Sequence, residues 1–332
     1  MIPRPWVRRL TDRPDAATLL LCFPHAGGAA SAYRDWAAHV PADTELWAAQ
    51  YPGREDRIAS PLIDSMDWLV DAMVSAIEPA LDRPVVVFGH SMGGSVAHEF
   101  TLRLAALRPG LVRRLVVSAR PAPTAWAPCV DPVHELDDDG VVTEVAALGG
   151  PTDALADPQL RQLLLPMIRN DFRLIESYRP SEAVLDVDLV VLAGTRDSSL
   201  AVEHTAGWAE ATTGPFARHI YEGDHFYLHD HLADVVSRVT SRADTTWSPP
   251  AMTDAPFTVD RLRASIAEVL GVPAVEVTPD ASLFELGLDS MKMMMLSVQW
   301  QSHGVEIPFG ELAERPTVEA WSTLLTKTAS AR

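Results

Sequence analysis

Ser91 is the residue of this sequence whose surroundings best suit a nucleophile. It lies in the segment VVVFGHSMGG, residues 85–94, with one glycine two positions before it and another two positions after it. Glycines at these positions permit a tight turn from a strand into a helix, which exposes the serine hydroxyl and directs the next amide at a developing oxyanion. An apolar run precedes the turn and a helical pattern, residues 96–107, follows it. We therefore expect Ser91 to be a catalytic nucleophile.

A serine needs a general base and a carboxylate that orients this base. In proteins with a G-x-S-x-G nucleophile, the three residues follow in the order Ser, Asp, His. The segment VVLAGTRDS carries Asp197 after one apolar run, and YEGDHFYL carries His225 after the last one. Their order and their positions at the ends of consecutive strands predict a triad of Ser91, Asp197 and His225. Asp224, the neighbour of the base, is expected to be a turn residue.

A glycine-rich turn follows the first strongly apolar run, in LLLCFPHAGGAA, residues 19–30. Such a turn can bring a backbone N–H close to the nucleophile. We expect the amides of Ala26 and Met92 to form an oxyanion hole. The histidines outside the triad are predicted to be structural neighbours, His25 and His90, or surface residues of the last helix of this region, His229 and His231.

Short apolar runs recur along the first two thirds of the chain, and each is followed by a turn signal or an amphipathic stretch. Runs rich in β-branched residues and without alternation predict strands buried on both faces. Strands that alternate with helices predict an α/β domain with a mostly parallel sheet. The predicted strands are residues 18–23, 46–51, 84–89, 114–119, 187–194 and 217–223. One helical face is predicted from Trp68, Leu69, Ala72, Met73, Ile77 and Leu81.

Two segments interrupt this alternation and suggest how the chain is organised. Residues 121–182 offer no strand but contain the helical QLLLPMIRNDFRLIESY, which predicts a helical lid over the carboxyl edge of the sheet. Residues 243–256 are rich in Ser, Thr, Pro and Asp and predict a linker. We expect an α/β domain over residues 1–242 and a helical domain over residues 257–332.

Composition excludes several classes of partner. The net charge of −18 argues against nucleic acid or an anionic membrane as a main partner, because both attract clustered Lys and Arg. No apolar stretch is long enough for a spanning helix. Two isolated cysteines, Cys22 and Cys129, predict neither a disulfide framework nor a metal site and favour a reducing, cytoplasmic compartment.

The motifs FPHAGG, GHSMGG, GTRD and GDHF, with RNDFRLIESY in the helical insertion, resemble the type II thioesterases of nonribosomal peptide and polyketide synthases. The resemblance covers about residues 5–240. It implies an α/β-hydrolase fold and the hydrolysis of acyl thioesters held on carrier domains. Ser91 would attack the thioester carbonyl, His225 would transfer the proton, and Asp197 would orient His225. The lid would shape the acyl chamber.

A second serine, Ser290, lies in FELGLDSMKM, residues 284–293, without a preceding buried strand or a glycine two positions after it. From the residues alone it is a helix start with Asp289 as N-cap. Residues 256–328 resemble acyl and peptidyl carrier domains, of which LGLDS is the phosphopantetheine attachment motif. This resemblance implies a small four-helix domain, 4'-phosphopantetheine bound covalently to Ser290, and a phosphopantetheinyl transferase as a partner.

The sequence therefore predicts a thioesterase that releases acyl, aminoacyl or peptidyl groups from carrier domains in natural-product biosynthesis. Its own carrier domain is a possible substrate in cis. An alternative with the same fold is an acyltransferase that moves the carrier-bound group to an amine or an alcohol. A third possibility is that the carrier domain is the functional part and the hydrolase domain serves as a docking scaffold.

Overall fold

The computed structural model divides into two compact units, Met1–Trp247 and Ser248–Arg332. Residues 6–150 and 152–241 of the first unit are described. In the second unit the described residues are 259–270, 272–273, 277–279, 281–284, 286–288, 292–293, 296, 312 and 316–329. The expected linker, residues 243–256, and Ser290 lie outside the described residues. The predicted domain boundaries therefore stay predictions.

A seven-stranded sheet forms the centre of the first unit, in the order β1-β3-β2-β4-β5-β6-β7. Strand β1 pairs antiparallel with β3, and all other neighbours are parallel. The mostly parallel sheet confirms the α/β prediction, but the sequence did not reveal β1, which is three residues long and carries two arginines. The strands are β1 Val7–Arg9, β2 Thr18–Phe23, β3 Thr44–Ala49, β4 Val85–His90, β5 Val112–Ser118, β6 Asp188–Gly194 and β7 Phe216–Tyr221.

The parallel strands are buried because helices cover both faces of the sheet. Side chains of one strand alternate between two apolar clusters, as Val85 and Val87 of β4 lie in one and Val86 and Phe88 in the other. Parallel strands end at the same edge. Strands β4, β6 and β7 therefore bring the residues that follow them to this carboxyl edge.

Helices α1 Met66–Ile77, α2 Met92–Leu107 and α6 Leu232–Thr240 flank the sheet, together with 3₁₀ helices at Ala30–Ala38 and Val202–Ala211. The predicted face of α1 was partly wrong. Trp68 is 62% exposed, and Val70 and Val74 are buried instead. The buried positions recur at helical spacings of three and four residues, and Trp68 falls outside that series.

The regular elements in the described part of the insertion between β5 and β6 are helices joined by irregular segments, as expected for the lid. It contains α3 Asp138–Ala147, α4 Asp153–Ala156 and α5 Pro158–Ser177. Helix α5 begins where the sequence offers a start signal: Asp157 accepts from the amides of Gln159 and Leu160, and Pro158 takes the first helical position. A small apolar cluster of its own stabilises the insertion, formed by Val141, Leu155, Leu165, Met167 and Ile168.

The second unit is helical in its described residues. Helix α7, Val259–Leu270, and helix α8, Val318–Ala329, share an apolar cluster in which Leu262, Ile266 and Trp321 are fully buried. The Trp321 indole donates to the Leu312 carbonyl at 3.0 Å. This confirms a small helical domain. No helix in the described part of the chain is long and apolar enough to cross a bilayer.

Acid should destabilise the first unit through His98 of α2. This side chain is buried against Trp208, and neither ring nitrogen has a hydrogen-bond partner among the described residues. Burial lowers its pKa to about 4, against a smaller opposing effect of Glu99, whose Oε1 lies 3.9 Å from Nδ1. In the unfolded chain the His98 ring binds a second proton near pH 6.5, whereas in the folded chain it stays neutral at this pH. Stability is therefore lost as the pH falls from about 6.5 toward 4, by up to about 1.4 kcal/mol per pH unit. Urea unfolding between pH 7 and about pH 5, above most carboxylate pKa values, measures this slope.

The slope should be smaller in His98→Phe than in the unsubstituted chain. His229→Gln is the matched control, since His229 is exposed. An equal slope in His98→Phe and the unsubstituted chain would contradict the assignment to His98.

Candidate active site

Ser91 occupies a strained turn between β4 and α2. Its φ of 56° and ψ of −123° lie outside the regions that non-glycine residues normally adopt. The turn is possible because its glycines lack a Cβ: one added at Gly93 would lie 2.0 Å from the Phe23 carbonyl oxygen, and one at Gly89 would lie 2.0 Å from the Gly93 oxygen. Both glycines of the motif are thus required by backbone contact.

Asp197 and His225 meet at the carboxyl edge, from the turns after β6 and β7. His225 Nδ1 lies 2.7 Å from Asp197 Oδ2, and both side chains are buried. Burial raises the pKa of Asp197, but the hydrogen bonds and charge of its partners outweigh this effect, so its pKa is below the usual value. An ionised Asp197 holds Nδ1 of the ring as the protonated nitrogen and leaves Nε2 to accept a proton.

Ser199 is a further contact of the pair that the sequence analysis did not single out. Its amide and its hydroxyl donate to Asp197 Oδ1 at 2.9 and 2.7 Å, and its hydroxyl lies 3.2 Å from His225 Nδ1. The signal in the sequence is an Asp with a Ser two positions later, which is typical of an Asx turn. Ser199 fixes the carboxylate that faces the base.

The Ser91 hydroxyl and the His225 ring line one cavity of about 240 Å³, but they are not hydrogen-bonded to one another in this structure. Contacts between nucleophile and base are commonly loose without substrate and tighten when it binds. The cavity brings Ser91 and His225 together with apolar lid side chains, while Asp197 does not line it and contacts His225 at Nδ1. Those lid residues are Val145, Leu148, Ile168, Phe172 and Ile175.

The predicted oxyanion amides also lie at this cavity, which Ala26 and Met92 both line. Met92 is the first residue of α2, so its N–H has no acceptor within the helix. In the described part of the chain the Ala26 N–H has no acceptor either. Two free amides beside a serine at a helix N-terminus can stabilise a negatively charged oxygen.

A buried ion pair holds the turn that carries Ala26, and the sequence analysis did not find it. Asp171 of α5 accepts from the Gly27 amide at 2.8 Å and from Arg54 at 2.8 Å. Arg54 also donates to the Gly28 carbonyl at 3.0 Å. Gly27 has a φ of +76°, a conformation that favours glycine. The lid helix thereby fixes the backbone beside the oxyanion amide.

The other histidines have the surroundings expected of structural residues. His25 lines the cavity, and burial, with smaller contributions from His225, His229 and Arg54, lowers its pKa to about 3. His90 is buried and does not line the cavity, and its Nδ1 lies 2.8 Å from the Ser118 hydroxyl. Asp224 is a turn residue that accepts from the Phe226 amide at 2.8 Å. His229 and His231 were placed on the last helix of this region, but this helix starts after both, at Leu232.

Replacement of Asp171 should weaken the stabilisation of the transition state more than the binding of substrate. Asp171→Asn keeps the size of the side chain but removes the charge that pairs with Arg54, so the oxyanion turn loses its restraint. We expect kcat for an acyl N-acetylcysteamine thioester to fall by roughly tenfold to a hundredfold, less than for loss of an oxyanion donor itself. KM should stay within about twofold, because the ground state does not use these amides fully.

Asp139→Asn is the matched control, because Asp139 pairs with Arg161 on the exposed side of the lid. Such a surface pair contributes little, so this variant should retain its kcat. Circular dichroism checks that both variants fold. An unchanged kcat in folded Asp171→Asn would show that the ion pair does not position the turn.

The chain is similar to known thioesterases over its first unit. A probable cadicidin biosynthesis thioesterase of Streptomyces griseus is 36% identical over 248 residues, which cover 74% of this chain and 68% of that protein. Thioesterase PikA5 of Streptomyces venezuelae is 37% identical over 250 residues, covering 74% and 88%. The solved structure of the type II thioesterase BorB, from the borrelidin biosynthetic cluster, superimposes with a TM-score of 0.66 at 33% identity and covers 70% of this chain and 96% of that one.

Two family models match the chain in consecutive segments. The model described as Thioesterase domain matches residues 18–242, and the model described as Phosphopantetheine attachment site matches residues 260–325. The second match confirms phosphopantetheine as the expected cofactor, while Ser290 as its attachment residue stays a prediction. The α/β-hydrolase fold, the cavity at the carboxyl edge and the length of the first match lead to one conclusion: this chain belongs to the thioesterase family and continues into a phosphopantetheine-binding carrier domain.

Proposed function

We propose that this enzyme releases acyl groups from phosphopantetheine arms by a serine mechanism, with Ser91 as nucleophile, His225 as base and Asp197 as orienting carboxylate. The observation that carries the proposal is the 2.7 Å contact between buried His225 Nδ1 and Asp197 Oδ2. The same cavity presents Ser91 on a strained turn and the amides of Ala26 and Met92. These are the parts that acyl transfer to water requires.

In the first half of the reaction, the Ser91 oxygen attacks the thioester carbonyl carbon while His225 Nε2 accepts the hydroxyl proton. The carbonyl oxygen becomes negatively charged and accepts from the amides of Ala26 and Met92. The bond between carbon and sulfur then breaks, and the imidazolium returns its proton to the departing thiolate. Asp197 stabilises the positive charge on His225 during this step.

In the second half, water attacks the acyl group on Ser91. His225 accepts a proton from this water and the same two amides hold the new oxyanion. The bond between the acyl carbon and the Ser91 oxygen breaks, His225 returns the proton to this oxygen, and the free acid leaves. Apolar lid side chains such as Phe172 and Ile175 limit the access of bulk water to the cavity.

The carrier unit supplies a thioester partner in the same chain. A left-handed turn at Gly287, with φ +93°, precedes the predicted attachment residue Ser290, and helical Lys292 and Met293 follow it. A turn next to a helix start suits the attachment of an anionic phosphodiester. A phosphopantetheinyl transferase would install the arm, and carrier domains of synthase proteins would be further substrates. Two unpaired cysteines, Cys22 and Cys129, support a cytoplasmic location.

Two substitutions in the full chain separate the roles of the two serines. After treatment with a phosphopantetheinyl transferase and a labelled acyl coenzyme A, the unsubstituted chain should gain the acylated arm and then lose the label as free acid. Ser91→Ala should gain the label and retain it, with the loss slowed by at least a thousandfold. Intact mass over time measures both steps.

Ser290→Ala should gain no label yet hydrolyse a free acyl N-acetylcysteamine thioester at the rate of the unsubstituted chain. Loss of label at an equal rate in Ser91→Ala would overturn hydrolysis of the arm in cis. Transfer of the label to an added amine or alcohol in preference to water would show an acyltransferase instead. Full labelling of Ser290→Ala would refute Ser290 as the attachment residue.

A further inference from the structure

Arg120 lies at the edge of the active-site cavity, in the turn after β5. The preceding residue, Ala119, has a φ of 52°, which is strained for a residue with a Cβ. The carbonyl of Arg120 accepts from the Trp208 indole at 3.0 Å. Arg120 lines the cavity that contains Ser91 and His225. Strained backbone of this kind persists where the surroundings hold it and is common at functional sites.

The charge of Arg120 has no counter-ion among the residues that the structure describes. Its Nε donates to the neutral Ser95 hydroxyl at 2.8 Å, and it makes no ion pair with the described residues. By contrast, the buried Arg54 lies 2.8 Å from Asp171, and the buried Arg114 lies 3.6 Å from Asp188. Burial lowers the pKa of Arg120 to about 10, so the side chain remains a cation near neutral pH. A guanidinium in this position strongly favours an anionic partner.

The position of Arg120 limits what that partner can be. Ser95 lies in α2, four residues after the N-cap residue Ser91, which is about 6 Å along the helix axis. The phosphate of a phosphopantetheine arm is separated from its thioester by the whole arm, so it cannot reach a guanidinium so close to the nucleophile. A carboxylate on the acyl group itself lies only a few bonds from the thioester carbonyl and can.

The remaining polar lining of the cavity does not neutralise Arg120. Glu176 lines the cavity, but its oxygens accept from the amides of Val133 and His134 and lie 2.5 Å from His134 Nδ1. The other lid side chains at the cavity are mainly apolar. An acyl group in this cavity therefore meets mainly apolar lid side chains, a Glu176 carboxylate held by hydrogen bonds of its own, and an Arg120 guanidinium that forms no ion pair with the described residues.

We propose that Arg120 is a specificity-determining residue that makes the cavity prefer acyl groups carrying a carboxylate, such as short dicarboxylic monothioesters, over neutral ones, and disfavour acyl groups carrying an ammonium. The guanidinium donates its free Nη hydrogens to the carboxylate, whereas it repels an ammonium in the same place. This inference rests on the thioesterase function proposed above and adds a substrate class to it.

The test compares kcat/KM for three N-acetylcysteamine thioesters: glutaryl, its neutral isostere 5-oxohexanoyl, and β-alanyl. The full chain should hydrolyse them in that order of preference. In Arg120→Gln the ratio of glutaryl to 5-oxohexanoyl should fall by roughly tenfold to a hundredfold, as expected for loss of a charged hydrogen bond. In the same variant the ratio of kcat/KM for the β-alanyl thioester to that for 5-oxohexanoyl should rise. Arg173→Gln, which changes an exposed arginine of the lid helix, should leave all ratios unchanged.

Arg120→Lys keeps the charge and should retain part of the carboxylate preference, even if the glutamine variant does not fold. Ser91→Ala gives the background rate of each thioester. Equal rates for glutaryl and 5-oxohexanoyl in the unsubstituted chain, or a ratio unaffected by Arg120→Gln, would overturn the inference while leaving the thioesterase function intact. Failure of all three thioesters to react above the Ser91→Ala background would instead overturn the proposed function.

Discussion

The contact between the backbone of Gly93 and the carbonyl of Phe23 is the constraint on which the site depends. Helix α2 can begin so close to strand β2 only because residue 93 has no side chain, since a Cβ there would lie 2.0 Å from the Phe23 oxygen. This close approach holds Ser91 at a φ of 56° and places the Met92 amide beside the turn of Ala26. The proposed nucleophile and oxyanion amides are thus positioned by backbone packing, which needs no reorganisation during the reaction.

The lid does more than cover the cavity. Its helix α5 carries Asp171, which accepts from the Gly27 amide and pairs with Arg54 in the interior. One face of the same helix contributes Phe172 and Ile175 to the acyl cavity. A displacement of α5 would therefore change the shape of the acyl chamber and the restraint on the oxyanion turn together. Coupling of this kind allows a lid to complete a catalytic arrangement as it closes.

Two neighbouring strands end in strained residues at the same edge of the sheet. Strand β4 is followed by Ser91 and strand β5 by Ala119, with φ values of 56° and 52°. The first strained residue is the proposed nucleophile, and the second directly precedes Arg120. Adjacent parallel strands thereby bring Ser91 and a guanidinium that forms no ion pair with the described residues to one cavity. The chemistry of bond cleavage and the choice of acyl group have separate structural origins within it.

Local rules were enough to predict several parts of this protein from its sequence. Apolar periodicity predicted the parallel strands, and two glycines predicted the tight turn at Ser91. The resemblance to carrier domains predicted the phosphopantetheine-binding domain, which the match to residues 260–325 confirms, whereas the triad of Ser91, Asp197 and His225 stays a prediction. Strand β1 was not predicted, because its three residues include two arginines and form no apolar run. Trp68 was wrongly predicted to lie on the buried face of α1, because apolar residues around it are compatible with two overlapping helical faces.

Only the tertiary structure decided which distant charges meet. Asp171 and Arg54 are 117 residues apart in the chain, and no local pattern distinguishes them from surface residues such as Asp139. The same holds for Arg120, whose proposed role comes from its lack of an ion pair with the described residues rather than from its residue type. The physical reason is that the energy of a charge depends on burial and on its partners, which packing of remote elements sets and which sequence spacing does not encode.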